Sequence, residues 1–288
     1  MSELLPEQSV RAALVIGTRE RAEVLSRMLA SVAGDAHRIS RIVIVDQSDG
    51  PETQSVAAAH ASALPIDYVH DSQRGLSRAR NVGIARLTDV DFEVIAFPDD
   101  DCRYRPDTLR KALAHFANDK TLDILTSLSV NEFGAPTQGR WRTKPTSLSR
   151  YNVWTCQTSY TTFYRRRLFH CVGQFDETLG VGAGTKWGAG EETEFVLRAL
   201  ALGAKGLYDP SIKIFHPEPL ASIARGTAYN RGFGRVLRLA DFSRSFVLYM
   251  TLRPLAGSVV SLVAGDLARA HYGWVAARER LLGWCDAR

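Results

Sequence analysis

The feature that most constrains the fold is a regular alternation of short apolar runs with longer segments of helical periodicity. The runs at 11–18, 41–46, 65–70 and 92–97 are typical of buried strands. The segment at 20–32 spaces its apolar residues along one helix face. Strands that alternate with helices form parallel βαβ units, so we predict an α/β fold with helices flanking the sheet.

The rest of the chain continues this alternation. The pattern predicts a helix at about 106–117 that opens at Pro106, a strand near 122–130 and a long polar loop at 131–155. Three further elements are predicted after this loop: a strand at 157–165, a helix at 191–203 and a strand at 211–216. We therefore predict one α/β domain over residues 1–220 and a helical C-terminal extension over 221–288.

Charge is distributed unevenly between these two parts. Residues 1–220 contain 26 Lys and Arg against 27 Asp and Glu, a net charge of −1, whereas residues 221–288 contain 10 against 4, a net charge of +6. The four cysteines show no C-x-x-C spacing and no secretory signal precedes them, so we expect neither a disulfide framework nor a zinc site. Reduced thiols fit a cytoplasmic protein.

The extension is basic, aromatic and helical in period. Its uncharged runs at 245–252 and 254–265 are too short to span a bilayer and are divided by Arg253 and Pro254, so we expect no transmembrane helix. Such a surface suits an anionic membrane, here the inner face of the plasma membrane. Packing on the first domain, or on a second copy in a homodimer, is an equal alternative. We expect no nucleic-acid partner, because the charge excess is small and no binding motif is present.

Three adjacent carboxylates, Asp99, Asp100 and Asp101, directly follow the predicted strand at 92–97. Each neighbouring charge makes the next carboxylate harder to ionise, so the triplet calls for a positive group among its oxygens. A hard divalent cation, Mn²⁺ or Mg²⁺, held by Asp99 and Asp101 meets this need. The alternative is a solvated turn whose acids cap the following helix.

Other polar residues are predicted at the same edge of the sheet, where parallel α/β sheets bind ligands. Thr18 and Arg19 end the first strand and could bind a base or a phosphate, and Asp46 ends the second. Arg74, Arg78 and Arg80 follow the third predicted strand. Helical spacing lets at most two of them reach one ligand, and we select Arg80 as the residue that donates hydrogen bonds to a diphosphate. A solvated helix face is the alternative for these arginines.

Read in order, these segments resemble the inverting GT-A glycosyltransferases of family 2, which include bacterial polysaccharide and lipopolysaccharide enzymes. The resemblance covers roughly residues 10–218. It rests on six motifs: VIGTRERAEVLSRMLASV, IVIVDQSD, RGLSRARNVGIA, FPDDDCRYRPDTL, VGQFDETLGVGAGTKWGAGEETEFVLRAL and IFHPE. The expected fold is a GT-A, Rossmann-like mixed sheet flanked by helices.

The resemblance also implies roles for the donor site. Asp101 corresponds to the direct metal ligand of the D-x-D motif, and Asp99 or Asp100 to a contact with ribose or sugar hydroxyls. His216 stands where relatives often present a histidine to the metal or the diphosphate, although a lone histidine is usually only a satisfied polar residue. In the family an acid at the position of Asp46 accepts a hydrogen bond from the base. The remaining donor-site match is Arg80 with Asn81, in the A-R-N-x-G segment.

The acceptor side is predicted at the glycine-rich segment, residues 180–190, and at the helix after it. An inverting transfer is a single displacement, which needs one carboxylate to take the proton of the acceptor hydroxyl. Relatives use the second acid of a Glu-Asp pair, so the resemblance implies Glu192 as the base and Glu191 as a group that orients a sugar hydroxyl. Both could instead be ordinary acids at a helix start. Trp187 could stack on an acceptor sugar or pack into the core.

We therefore expect a metal-dependent glycosyltransferase that moves a sugar from a nucleoside-diphosphate sugar to a hydroxyl of a glycan or lipid-linked acceptor, in cell-surface polysaccharide or glycolipid synthesis. Two alternatives belong to other classes. The first is a sugar nucleotidyltransferase, which shares the sheet type and the GTR string at 17–19. The second is a non-catalytic protein that binds nucleotide sugars or docks on membranes.

Overall fold

A computed structural model of the protein describes residues 10–137, 139–218 and 222–286. Nine strands are assigned within these ranges: β1 Ala12–Thr18, β2 Ile39–Asp46, β3 Ile66–His70, β4 Val94–Ala96, β5 Arg103–Tyr104, β6 Ile124–Val130, β7 Thr146–Ser147, β8 Thr162–Arg165 and β9 Gly206–Phe215. The same ranges contain these α-helices: α1 Ala22–Val32, α2 Glu52–His60, α3 Leu76–Ala85, α4 Thr108–Asn118, α5 Leu168–Cys171, α6 Glu191–Ala201, α7 Ile223–Leu239, α8 Arg244–Val263 and α9 Leu267–Cys285.

The strands form a mixed sheet in the order β3-β2-β1-β4-β8-β6-β9-β5, with β7 paired to β9. The first four strands in this order are parallel, as the sequence predicts. Strand β8 runs antiparallel to β4 and β6, which makes the sheet mixed. The register pairs Thr18 with Asp46, so β1 and β2 deliver their last residues to one edge.

The core explains why the first strands read as continuous apolar runs. Strand β2 is buried along Ile42–Val45, and β1 is almost fully buried from Ala12 to Ile16. A strand covered on both faces has no solvent-facing position, so the alternation of polar and apolar residues disappears. Helices α1 and α4 supply Leu25, Met28 and Phe116 to the main core cluster.

Several elements differ from the expectation. Helix α4 begins at Thr108, so Pro106 lies before the helix, and the N-cap is Asp107. The interpretation of the acidic triplet as a helix cap is therefore wrong. The short strands β5 and β7 contain two residues each, too few for a periodic signal. Both pair with β9, which is longer than predicted because it begins at Gly206.

The described residues fall into two compact units. One contains the whole sheet and comprises the described part of Met1–Gln73 with Ala79–Gln174 and Ala199–Glu218. The other comprises Arg74–Arg78, Phe175–Arg198 and the described part of Pro219–Arg288. A division at residue 220 stays a prediction.

Helix α8 is continuous for 20 residues and contains Pro254, so the expectation that Arg253 and Pro254 divide this region is wrong. Proline has no N–H, which leaves the carbonyl of Met250 without its helical donor. Arg280 of α9 donates from Nη1 to that carbonyl at 2.8 Å. Among the described residues one helix, α8, is long and apolar enough to cross a membrane. In its most apolar stretch, 28% is buried.

Candidate functional site

The acidic triplet lies after β4, at the edge where β1 and β2 end. Asp100 is its buried member, with 4% of its surface exposed. It accepts a hydrogen bond from the Thr18 hydroxyl at 2.8 Å and an ion-paired one from Arg21 Nη1 at 2.7 Å. Burial raises the pKa of Asp100 to about 7 against the opposing charge of Arg21 and the bond from Thr18. Both of its carboxylate oxygens thus contact protein groups that fix the turn, and the predicted donor contact stays a prediction.

Asp101 lies in the opposite electrostatic situation. Burial alone would raise the pKa of Asp101, but hydrogen bonds and charges from His216 and Arg21 lower it to about 2. His216 Nε2 lies 3.1 Å from Asp101 Oδ1, and Arg21 Nη2 pairs with Asp101 Oδ2. Asp101 is therefore ionised at neutral pH, the state required of a metal ligand.

His216 follows the end of β9 and is held on two sides. Its Nδ1 lies 2.6 Å from the carbonyl oxygen of Pro217. Since a carbonyl can only accept, Nδ1 carries the proton and Nε2 is the atom directed at the aspartates. The ring of Tyr160 stacks on the imidazole with 4.4 Å between centroids. A carbonyl partner on the far nitrogen is the usual way in which proteins orient a metal-binding histidine.

The donor set formed by Asp99, Asp101 and His216 fits a divalent cation. One ligand atom from each residue lies within 4.8 Å of the other two. Two carboxylate oxygens and one imidazole nitrogen suit Mn²⁺, and the oxygens alone suit Mg²⁺. The structure therefore brings together the three residues predicted to bind metal, although His216 lies more than 100 positions after the two aspartates in the sequence.

Arg80 and Asn81 lie in α3, and both side chains are almost completely buried. Arg80 Nη2 lies 3.6 Å from Asp99 Oδ1, and the guanidinium approaches the Phe97 ring at 5.9 Å from its centroid. The helix face that contains Arg80 thus points toward the acidic triplet and away from solvent. The interpretation of Arg80 as part of a solvated helix face is wrong.

Asp46 is completely buried at the end of β2. Its Oδ1 accepts from the Ser48 backbone N–H at 2.9 Å, and its Oδ2 accepts from the Tyr68 hydroxyl at 2.8 Å. Burial, with the bond to Asp46, raises the pKa of Tyr68 to about 12. The predicted contact of Asp46 with a nucleotide base stays a prediction, and Tyr68 is the neighbour that would share it.

Sequence reasoning missed three residues that complete this edge: Arg21, Tyr68 and Tyr160. It proposed Arg19, which is exposed, whereas Arg21 two positions later pairs with the triplet. Both arginines lie between the end of β1 and the start of α1, with Arg21 at the N-cap position, and no periodic signal separates them. Tyr160 sits beside His216 because a 3₁₀ turn at Ser159–Thr161 precedes β8. A buried tyrosine in such a turn could not be distinguished from a core residue in the sequence.

The second unit contains the glycine-rich segment and the start of α6. Glu191 is buried, and its Oε2 would lie 2.9 Å from a Cβ added at Gly180, where φ is +100°. Gly180 is therefore the residue that allows the segment to approach this carboxylate. The hydroxyl of Ser77, in the first turn of α3, donates to the carbonyl of Leu179 at 2.6 Å. Glu192 is half-buried beside Glu191.

Trp187 is held by the C-terminal end of α9. Its indole Nε1–H donates to Asp286 Oδ2 at 2.8 Å, and the Arg235 guanidinium lies 4.2 Å from the centre of its ring. Asp286 also accepts from Lys186 at 2.9 Å and from two nitrogens of Arg231 at 2.7 and 2.8 Å. These bonds, led by those from Arg231, hold the pKa of Asp286 far below its usual range. Trp187 therefore has a defined structural setting, and its role in acceptor stacking stays a prediction.

Comparison with known proteins places these features in context. Residues 13–173 match the family model described as glycosyl transferase family 2. A curated protein from Nostoc sp., named as an uncharacterized glycosyltransferase, is 24% identical over 178 residues. The match covers 58% of this chain and 54% of that protein, so the chain spans about half the length of the curated relative it matches.

Solved structures resemble the fold over nearly its whole length. TarS of S. aureus aligns with a TM-score of 0.58 and 14% identity over 93% of this chain and 91% of that one. A mannosyltransferase from Pyrobaculum calidifontis, solved with GDP-Man and Mn²⁺, aligns with a TM-score of 0.62 and 14% identity over 94% and 87% of the two chains. TarS is also solved in complex with UDP-GlcNAc. The fold of this chain is the GT-A type, as predicted.

Proposed function

Because the chain belongs to glycosyl transferase family 2, we propose that it is a metal-dependent inverting enzyme that transfers a sugar from a nucleoside-diphosphate sugar to a hydroxyl acceptor. The observation that carries the proposal is the convergence of Asp99, Asp101 and His216 at the carboxyl edge of the sheet. A bound Mn²⁺ or Mg²⁺ would act there as a Lewis acid and neutralise the charge that develops on the leaving diphosphate.

The side chains around this cluster have separable tasks. Arg21 and Thr18 hold Asp100, which fixes the turn that presents the neighbouring aspartates. Arg80 places a buried positive charge on the Asp99 side of the cluster, where an anionic diphosphate gains from it. Support for a nucleoside-diphosphate donor comes from two fold neighbours, one solved with UDP-GlcNAc and the other with GDP-Man.

We assign Glu192 as the general base that accepts the proton of the acceptor hydroxyl, with Glu191 orienting a sugar hydroxyl. Glu192 opens α6 next to buried Glu191. At this helix start the macrodipole favours an ionised carboxylate, the state in which a base can accept a proton. A single displacement by the acceptor oxygen then inverts the anomeric centre without a covalent enzyme intermediate. A glycan or a lipid-linked sugar is the proposed acceptor.

A thermal-shift screen tests donor binding directly. We expect a nucleoside diphosphate or its sugar to raise the melting temperature in the presence of Mn²⁺ and to have little effect without it. The Asp101→Asn variant should lose the metal-dependent shift, while Glu23→Gln serves as a control at an exposed carboxylate on α1. A shift that is equal with and without metal would contradict metal-dependent donor binding.

The sugar nucleotidyltransferase alternative predicts a different product. Such an enzyme consumes a nucleoside triphosphate and a sugar phosphate and releases pyrophosphate, whereas a glycosyltransferase releases a nucleoside diphosphate. Product analysis by chromatography therefore distinguishes them. Release of pyrophosphate would overturn the proposal, and donor binding without any turnover across a broad acceptor panel would favour the non-catalytic alternative.

A further inference from the structure

Helix α8 exposes most of its large apolar side chains, the reverse of what a helix of a soluble domain does. It buries five residues, three of which are polar: Val247, Met250, Thr251, Ser258 and Ser261. Large apolar side chains instead face outward, with exposed fractions from 48% to 87%. This set, called here the outer face of α8, comprises Leu248, Tyr249, Leu252, Val259, Val260, Leu262 and Val263.

The outer face forms one continuous stripe. At 3.6 residues per turn its members fall within an arc of about 160°. An amphipathic helix normally turns such a stripe toward the core. A helix of 20 residues is roughly 30 Å long. The area of a stripe of this length approaches that of the largest apolar patch that a typical monomer exposes. The face therefore has the dimensions of an interaction surface.

The packing of α8 on α9 resembles that of helices in an apolar medium. Gly273 of α9 lies so close to α8 that an added Cβ would be 2.2 Å from Ser258 Oγ and 2.7 Å from the Pro254 carbonyl oxygen. Close approach through small residues, with large apolar side chains directed outward, is the arrangement favoured where the surroundings are lipid. A water-soluble pair would bury the large residues between the helices.

The charged and aromatic residues of the C-terminal helices select the partner. Exposed Arg244 lies at the start of α8, and exposed Arg269 and Arg278 lie on α9. Residues 221–288 contain 10 Lys and Arg against 4 Asp and Glu. Exposed Tyr249 in the outer face and exposed Trp274 on α9 are of the type enriched at the boundary between headgroups and acyl chains. An apolar stripe on a basic helical segment complements an anionic lipid surface.

The same charges argue against two other arrangements. In a two-fold dimer the same patch faces itself, so these arginines would approach one another. In a spanning helix Arg253, near the middle of α8, would lie close to the bilayer centre at a substantial cost. A helix that lies along the surface leaves Arg253 at the edge of the apolar arc, where its long side chain reaches the headgroups.

We propose that the outer face of α8 binds the interface of an anionic bilayer, with the helix axis along the membrane surface. This inference does not depend on the proposed sugar transfer. It would hold the enzyme at the surface where a lipid-linked acceptor is found.

Vesicle flotation of the full chain tests the proposal. We expect binding to phosphatidylcholine vesicles that contain phosphatidylglycerol, weaker binding to phosphatidylcholine alone, and release as salt rises. Val259 and Val260 are 61% and 70% exposed, so the double variant V259E/V260E should fold normally and lower the partition coefficient by about tenfold or more. The matched control F133E/L202E adds the same charge at residues that are 87% and 66% exposed and should bind like the wild type.

Circular dichroism and thermal melting establish that both double variants are folded, and sedimentation velocity reports the oligomeric state. The proposal would be overturned by no flotation of the wild type with anionic vesicles, by equal loss in both double variants, or by unchanged binding of V259E/V260E. A wild-type dimer that V259E/V260E dissociates, without vesicle binding, would identify the face as a self-association surface. Retention on membranes through high salt and alkaline carbonate would overturn the surface-parallel arrangement in favour of a span.

Discussion

At the scale of single residues, three adjacent carboxylates are stable because each has its own set of partners. Asp100 contacts Thr18 and Arg21, Asp101 pairs with Arg21 and His216, and Asp99 Oδ1 lies 3.6 Å from Arg80 Nη2. The pKa of Asp100 rises to about 7 while that of Asp101 falls to about 2. Neighbours of one residue type thus differ in ionisation because their surroundings differ.

The Arg21→Met variant tests this arrangement of charges. It leaves two largely buried carboxylates without their shared cation, and because the Arg21 side chain is 46% exposed, we expect a loss of only about 1 to 2 kcal/mol in the free energy of unfolding. Urea denaturation measures the change. Arg19→Met is the matched control and should be within about 0.5 kcal/mol of wild type. Equal stability of the two variants would refute the role given to Arg21.

Glu192→Gln tests the proposed base. The amide keeps the shape of the side chain but cannot accept the proton, so we expect sugar transfer to fall by about 10²- to 10⁴-fold while donor affinity stays unchanged. Single-turnover assays with saturating donor measure the chemical step, and titration of the nucleotide measures affinity. Transfer at the wild-type rate would remove Glu192 from this role. Loss of donor affinity would mean that the side chain acts in binding.

Asp286→Asn tests the contacts that hold Trp187. Because the folded pKa of Asp286 is depressed, its contribution to stability is present above the unfolded pKa of about 4 and is lost as the pH falls toward the folded value. The variant should therefore be less stable than wild type at pH 7, and the difference should shrink as the pH falls from about 4 toward the folded pKa. Denaturant melts at pH 7 and at a series of pH values below about 4 measure it. A difference that is independent of pH would show that the charge of Asp286 is not what stabilises the fold.

At the scale of elements, close backbone approach sets the packing of α7 on α9. A Cβ at Gly234 would lie 2.0 Å from the carbonyl oxygen of Arg280, and one at Gly283 would lie 2.0 Å from that of Arg231. Backbone atoms cannot rotate away from such a contact as a side chain can. The glycines therefore determine how closely the two helices pack.

Gly283→Ala should lower the stability of the protein by about 1 to 3 kcal/mol, since the helices must move apart to admit the methyl group. Gly257→Ala is the matched control in α8, where an added Cβ meets nothing within 4 Å. Alanine is the better helix former, so this variant should be neutral or stabilised by up to about 1 kcal/mol. Thermal denaturation compares the two, and equal effects would contradict the packing described.

The elements that the sequence predicted well are those with a strong internal period. Strands β1, β2 and β4 and helix α1 were found because burial on both strand faces, or on one helix face, leaves a readable pattern. Strand β5 depends on its partner β9 and has no pattern of its own. The continuity of α8 depends on Arg280, which donates to the Met250 carbonyl that Pro254 leaves without its helical donor, 30 positions away in the sequence. Burial lowers the pKa of Arg280 to about 10, which still leaves it charged for that contact.

At the scale of the whole molecule, the candidate site was predictable where the order of the family motifs indicated which distant residues lie together. Asp101 and His216 are far apart in sequence, and the resemblance to a known family brought them together before the structure did. Asp286 and Trp187 are 99 positions apart, and no motif connects them. Hydrogen bonds between distant segments leave no trace in a single sequence. The sequence therefore predicted residues 221–288 as a separate extension, although Asp286 contacts Trp187 of the glycine-rich segment.

The central claim is that Asp99, Asp101 and His216 hold the cation that binds the donor diphosphate. Anomalous diffraction from a crystal soaked with Mn²⁺ and a nucleoside diphosphate tests it most directly. We expect one strong manganese peak within bonding distance of Asp101 and of at least one of Asp99 and His216, with diphosphate oxygens completing the coordination. A manganese peak bound to the diphosphate at a position remote from these three residues would contradict the claim.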